Sequence, residues 1–166
     1  MAGVPTIECS PAMWRFVRAW RSACGPQVVE TRTALGPWTA TVIKSRGAEL
    51  ILAVEGRTYL ALLFKLEAEA TFAPSWKNAL SRSLDDLGVS PARIAQETRA
   101  ASFRLQPLVD DASMSMLSAV EFVCSTELHY QPDLAVVQRR LNEFPHDHPP
   151  DYSPVAAIHR LFGTRR

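Results

Sequence analysis

The sequence predicts an α+β fold, in which an antiparallel meander sheet is covered by several short helices. Three runs rich in β-branched and aromatic residues follow one another at 38–45, 48–55 and 57–66. The connections between them, "SRG" at 45–47 and "EGR" at 55–57, are short and contain glycine, which favours two successive hairpins. Most helix-like segments come after these strands instead of alternating with them, and this order is typical of α+β domains.

The residues before the meander predict a short strand and a helix. The strand is "PTIEC", and Ser10-Pro11 then supplies a helix N-cap followed by proline, whose missing N–H would have no helical partner there. In the helix "PAMWRFVRAWRS", four apolar residues recur at helical spacing and define the buried stripe: Met13, Phe16, Val17 and Trp20. A short strand at "QVVET" is predicted within the loop that follows.

The residues after the meander predict five helices and one further strand. A helix at 75–88 ends in a glycine, and a short helix begins at the cap pair Ser90-Pro91. The further strand is "SFRLQPLV" at 102–109, and a largely buried helix is predicted at 112–130.

Apolar stripes predict the last two helices. In "PDLAVVQRRLNEF" the stripe consists of Leu134, Val137, Leu141 and Phe144. The same periodicity turns four polar residues of this helix toward solvent: Gln138, Arg139, Asn142 and Glu143. The last helix, "SPVAAIHRLFG", begins with another Ser-Pro pair and is predicted to bury Val155, Ile158, Leu161 and Phe162.

Composition and length predict a single domain over 1–166, because 47% hydrophobic and 21% charged residues is a globular balance. A formal net charge of +1 excludes a global field that would draw the protein to nucleic acid or to an anionic membrane. No signal peptide or membrane-length apolar run is recognisable, so we expect a soluble cytoplasmic protein with no membrane partner. Cys9, Cys24 and Cys124 form no C-x-x-C pair, which argues against a disulfide framework or a zinc ribbon.

The stretch "FPHDHPPDYSP" is the best candidate for chemistry. In an extended segment, residues two apart point the same way, so His146 and His148 could reach one metal ion. Zinc needs three or four ligands, and Asp151, His159 or His129 would have to supply the others. We therefore favour a proline-stiffened connector between two helices, keep metal binding as the alternative, and predict no cofactor.

Other catalytic signals are weak. The sequence contains no G-x-S-x-G elbow, no G-x-x-x-x-G-K-[ST] loop and no G-x-G-x-x-G fingerprint. Cys9 precedes a predicted helix start, where the helix dipole would favour a thiolate, although a small buried hydrophobe is the more common role. We predict no catalytic residue.

Arginines on two helices form the candidate partner-binding surface. Arg15 and Arg18 lie beside Trp14 on the first helix, and Arg139 and Arg140 lie on the outer face of the penultimate helix. Such guanidinium groups bind carboxylates of a protein partner. Interleaved with exposed aromatic rings, they would instead bind nucleic acid.

Five stretches, taken in order, carry a resemblance to a known family: "TIECSPAMWRFV", "WTATVI", "LILAVEGRTYLALLF", "LDDLGVSPARI" and "LNEFPHDHPPDYSPVAAIHRLFG". The chain resembles, over nearly its whole length, a bacterial family of unknown function that opens with a strand and a Cys-Thr or Cys-Ser helix start. The resemblance implies a bacterial or mobile-element origin and brings no activity with it.

These observations favour a non-enzymatic macromolecular-interaction module, such as a bacterial regulatory or accessory protein of the antitoxin or defence type. A protein partner is the first expectation. Two alternatives stay open: a nucleic-acid-associated accessory protein that uses local arginine patches, and a small metal-dependent enzyme that uses His146 and His148.

Overall fold

The computed structural model describes residues 6–20, 33–99, 103–147 and 153–164. Its strands are β1 (Thr6–Cys9), β2 (Trp38–Ser45), β3 (Ala48–Glu55), β4 (Ala61–Lys65) and β5 (Arg104–Pro107). Its helices are α1 (Pro11–Val17), α2 (Glu69–Asp86), α3 (Pro91–Glu97), α4 (Asp111–Tyr130), α5 (Leu134–Glu143) and α6 (Pro154–Phe162). The α+β class is confirmed, and the strand predicted at "QVVET" lies outside the described residues.

The five strands form one mixed sheet in the order β4-β3-β2-β1-β5. The predicted meander is present, because β2, β3 and β4 pair antiparallel. However, β1 pairs parallel with both β2 and β5, so the prediction of a purely antiparallel meander sheet is wrong. Short hairpin connections force neighbouring strands to run antiparallel, whereas β1 and β5 reach the sheet through longer connections that leave their direction open.

The two hairpin connections of the meander differ. Arg46 and Gly47 both adopt positive φ, 51° and 78°, as the two-residue turn between β2 and β3 requires, and the predicted bounds of these strands match. The second connection is longer than predicted, so β4 starts at Ala61 and not at 57. The backbone N–H groups of Arg57 and Thr58 bond to the Glu55 carboxylate instead of joining a strand.

Alternate residues of β3 point into two separate cores, one on each face of the sheet. Ile51 and Ala53 belong to the core of what we call the aromatic face, which α1 and α2 cover and to which α6 contributes Ile158. Leu52 and Val54 belong to the core of the aliphatic face, which α4 and α5 cover. The helices therefore lie on both sides of the sheet.

Gln138 and Asn142 of α5 were predicted to face solvent, and this prediction is wrong. Both side chains are buried, 5% and 3% exposed, against the free edge of β4. Gln138 Oε1 accepts a hydrogen bond from Leu63 N (2.7 Å) and Asn142 Oδ1 from Ala61 N (2.7 Å). Backbone donors of an edge strand need partners when they are buried, and helical periodicity alone does not reveal this need.

Three large apolar side chains that were predicted to face the core are exposed. Phe16 of α1 is 40% exposed, Phe144 after α5 is 43% exposed and Leu161 of α6 is 39% exposed. On α4, which was predicted to be largely buried, Phe122 is 75% exposed. The structure thus leaves aromatic surface at α1, at α4 and after α5.

Candidate functional site

A cavity of about 700 Å³ lies on the aliphatic face, between α4, the β3–β4 connection and the residues that follow α5. We call it the α4 cavity. Its volume lies within the range of small-ligand sites, which are concave, mostly apolar and carry a few placed polar groups. Each of its three walls comes from a different part of the chain.

The α4 wall of the cavity is built from small residues. Ala112, Ser115 and Ala119 recur three and four positions apart, which places them on one side of the helix, and all three are exposed. Met116 and Val123 flank them and contribute apolar surface. Because the side chains in the middle of this wall are short, the space beside α4 stays open.

The β3–β4 connection supplies Tyr59, and a buried carboxylate fixes this connection. Glu55 is fully buried and accepts hydrogen bonds from Gly36 N (2.9 Å), Arg57 N (3.0 Å), Thr58 N (2.6 Å) and Thr58 Oγ1 (2.7 Å). Tyr59 N donates to the Glu55 carbonyl oxygen at 3.0 Å. Tyr59 has a φ of 60°, a conformation that costs free energy for a bulky residue, so the network around Glu55 must hold it there.

The residues after α5 supply His146, whose ring packs between two aromatic side chains. The ring centroid lies 5.4 Å from that of Tyr59 and 5.5 Å from that of Phe144. Burial lowers the pKa of His146 below its ordinary value, against the opposing effects of a backbone hydrogen bond with Leu141 and the charge of Asp147. The imidazole is therefore neutral at pH 7.

Two polar groups at the cavity differ in their hydrogen bonding and protonation. His146 Nε2 is buried and has no hydrogen-bond partner, which is uncommon for a buried polar atom. Burial raises the pKa of the Tyr59 hydroxyl, so this group stays protonated and available as a donor. The wall between Tyr59 and His146 is thus polar but uncharged, and Asp147 is the exposed charge beside it.

The alternative of a metal site at His146 and His148 gains no support from the residues that the structure describes, where no three His, Cys, Asp or Glu side chains cluster. His159 Nε2 donates to the Leu87 carbonyl oxygen at 3.0 Å, and the His129 ring packs against Tyr130. His148 and Asp151 lie outside the described residues, so metal binding by His146 and His148 stays a prediction.

The arginines of the predicted partner-binding surface are not brought together. Arg15 is exposed on α1 and Arg18 directly after it, over the aromatic face, and Trp14 beside them is partly buried against that core. Arg139 and Arg140 are exposed on α5, which covers the opposite face of the sheet. The two groups therefore belong to two surfaces.

Arg140 is also engaged within the chain. Its Nη1 lies 2.7 Å from Glu127 Oε2 of α4, so this guanidinium joins the two helices of the aliphatic face. Arg139 lies at a smaller cavity of about 140 Å³ between α5, α2 and α6.

The described cysteines are buried and unreactive in character. Cys9 and Cys124 have no exposed surface. Burial raises the pKa of each thiol to about 12, so neither forms a thiolate near neutral pH. Cys24 lies outside the described residues.

Comparison with known proteins identifies the family. The family model of the domain of unknown function DUF6933 matches residues 7–154. The chain belongs to this family. The match spans the aliphatic core, the aromatic core apart from Ile158, and every wall of the α4 cavity, and it confirms the resemblance to a family of unknown function. A comparison with curated proteins finds no match. Within the described residues, no helix combines the length and the apolar character that a membrane span requires.

Most residues of the α4 cavity could not be found from sequence. Tyr59 lies within a run predicted as a strand, and the small residues of α4 were expected in a largely buried helix. Only the lining residues of the stretch "FPHDHPPDYSP" were singled out in advance, with His146 as the candidate ligand: Phe144, Pro145, His146 and Asp147. One local signal for the conformation of the β3–β4 connection is present in the sequence, where Glu55 at the end of a strand is followed by "GRT". The Glu55 carboxylate accepts hydrogen bonds from the N–H groups of Arg57 and Thr58 directly after it.

Proposed function

We propose that this domain is a non-catalytic protein-interaction module, and that the α4 cavity accepts an apolar side chain of the partner next to a positive charge. The observation that carries this proposal is the cavity itself, about 700 Å³ with apolar side chains from α4 and from the residues after α5. An apolar pocket with a few polar groups is the expected form of a recognition site.

Exposed apolar side chains around α4 support a macromolecular partner. Phe144 lines the cavity and is 43% exposed, Phe122 of α4 is 75% exposed, and Val109 before α4 is 83% exposed. Single exposed hydrophobic residues are common, but Val109 and Phe122 each lie three residues from a lining residue of the cavity, Ala112 and Ala119, and so add apolar surface beside it. A partner that covers them would gain apolar contact beyond the cavity.

The charges of this surface support a basic partner. The stretch 105–138, which includes all of α4, contains no lysine or arginine. Asp147 lines the cavity and is exposed, and Asp111 adjoins the lining residue Ala112. A lysine or arginine next to the inserted apolar side chain would complement these carboxylates.

A catalytic function is less well supported by the same geometry. Ser115, His146 and Asp147 line one cavity and would be the natural candidates for a nucleophile and its base. A nucleophile must lie within hydrogen-bond reach of its base, but His146 Nε2 makes no hydrogen bond to any described residue. We therefore place binding ahead of catalysis.

Site-specific photocrosslinking in the native cells tests the proposal. p-Benzoylphenylalanine at Ser115, which is exposed and lines the cavity, should give a light-dependent adduct with one protein. The same group at Arg93, exposed on α3, is the control and should give none. Adding Ala119→Trp, which fills the cavity without removing a buried group, should abolish the Ser115 adduct. Equal labelling from Ser115 and Arg93, or no adduct at all, would refute the proposal.

A further inference from the structure

We infer that a second surface, on the opposite face of the sheet from the α4 cavity, binds single-stranded nucleic acid. It is formed by Arg15 and Phe16 of α1 and by Val42 and Lys44 of β2, and we call it the α1 patch. These side chains, with Ala12, border a depression of about 380 Å³. The inference is independent of the function proposed for the α4 cavity.

The aromatic ring of the α1 patch is available for stacking. The buried side chains of Met13 and Val17 pack α1 against the sheet. Phe16 lies between them in sequence, but its ring is on the solvent side of the helix and is 40% exposed. Val42 and Ala12 give the depression an apolar floor. An exposed ring beside an apolar floor suits the flat, apolar face of an unpaired base, because base–aromatic stacking does not depend on the identity of the base.

The charges of the α1 patch suit phosphate. Arg15 and Lys44 border the depression, no acidic side chain lines it, and Arg18 is exposed directly after the end of α1. Lys44 Nζ lies 3.9 Å from Glu49 Oε1, at the outer limit of an ion pair, and its side chain is 80% exposed. Exposed pairs of this kind are weak, so a phosphate can compete for Lys44.

The combination of ring and charge favours nucleic acid over an acidic peptide. A run of carboxylates alone would use Arg15 and Lys44 but would leave Phe16 in water, whereas every nucleotide supplies both a phosphate and a flat base. Since the net charge of the chain is only +1, the binding should be local and short, with a footprint of few phosphates.

Fluorescence anisotropy with the full chain tests this inference. A 5′-fluorescein-labelled dT20 oligonucleotide should bind at low salt, and log K should fall against log[KCl] with a slope of about −2, as expected for three phosphate contacts on a single strand. Phe16→Ala should weaken binding roughly fivefold or more through the lost stacking. Arg15→Ala and Lys44→Ala should weaken it and also flatten the salt slope. Arg93→Ala, exposed on α3, is the matched control and should leave binding unchanged.

Two outcomes would overturn the inference. One is the absence of any dT20 binding by the folded chain at 25 mM KCl, with folding checked by circular dichroism. The other is competition by polyglutamate as effective as that by unlabelled dT20, together with no effect of Phe16→Ala, because the patch would then bind polyanions or acidic proteins through charge alone. Because Phe16 is partly exposed and is not part of the buried core, its removal should not prevent folding.

Discussion

The two faces of the sheet are covered by different kinds of core. On the aromatic face, large rings pack closely against one another. Trp38 and Trp76 meet edge to face with centroids 4.9 Å apart, and the tilted rings of Trp76 and Phe103 have centroids 5.1 Å apart. On the aliphatic face, the buried core is made of leucine, isoleucine, valine, alanine, methionine and cysteine. The aromatic core fills the space under α2, whereas the aliphatic layer leaves the α4 cavity beside a helix with small side chains.

This difference suggests that the aromatic face contributes mainly to stability and the aliphatic face mainly to binding. Interlocking aromatic rings bury large areas and tolerate little change, so the aromatic face should dominate the stability of the fold. The aliphatic face combines an open cavity with polar contacts from α5 to the edge of β4. We expect substitutions at the cavity to change binding more than they change stability.

The largest predicted effect is the loss of the central ring of the aromatic face. Trp76→Ala should lower the free energy of unfolding by about 3–5 kcal/mol, because it removes a buried ring that contacts four other aromatic side chains in its cluster. Val123→Ala, at the cavity wall, should cost about 1 kcal/mol or less. Urea unfolding of both variants makes the comparison, and equal losses would remove the contrast between the faces.

The next effect concerns the polar contacts that close the sheet edge. Asn142 accepts from Ala61 N and donates to Ala61 O (3.1 Å) and to Ser83 Oγ (3.2 Å), so it links the edge of β4 to α2. Asn142→Ala leaves these buried groups without partners and should cost about 2–3 kcal/mol. Asn78→Ala, exposed on α2, is the control and should change the unfolding midpoint little. If the unfolding midpoint of Asn142→Ala is as close to wild type as that of Asn78→Ala, then the edge of β4 does not depend on the hydrogen bonds of Asn142.

A smaller effect should appear in the pH dependence of stability. The pKa of His146 is lower in the folded protein than its ordinary value of 6.5, so the unfolded chain binds more protons below that pH. The stability that the neutral ring contributes is therefore complete above pH 6.5 and is lost as the pH falls through the lowered folded-state pKa. Wild type should lose more stability than His146→Gln between pH 7 and pH 5 in urea titrations. Parallel pH profiles would mean that His146 is not buried as described.

The sequence predicted the parts of this fold that depend on local chemistry. β2 and β3 match their predicted bounds because two turn residues with positive φ and β-branched runs act over a few residues. The parallel position of β1 was missed, since no pattern within "PTIEC" encodes which neighbours it will have. Gln138 and Asn142 were predicted to face solvent because both are polar. The periodicity of a helix carries no information about the unpaired edge of β4, to which both side chains bond.

The candidate site was predictable only in one stretch of the chain, "FPHDHPPDYSP". His146 stood out by its type and by the prolines around it, but its partners come from Tyr59 and from α4, distant in sequence. The exposure of Phe16 and Phe144 also depends on where each helix ends and what it packs against. Family membership gives no further help, because DUF6933 is a domain of unknown function.

The most direct measurement for the α4 cavity is a titration of the ¹⁵N-labelled protein with L-tryptophanamide, followed by ¹H–¹⁵N NMR. This probe joins one apolar ring to one positive charge, and N-acetyl-L-tryptophan is the matched anion. We predict shifts centred on Ser115, Ala119 and Tyr59, stronger for the cation, abolished by Ala119→Trp and retained in Ser118→Trp, which alters an exposed residue outside the cavity. Shifts spread over the whole surface, or equal shifts in Ala119→Trp, would contradict the proposed site.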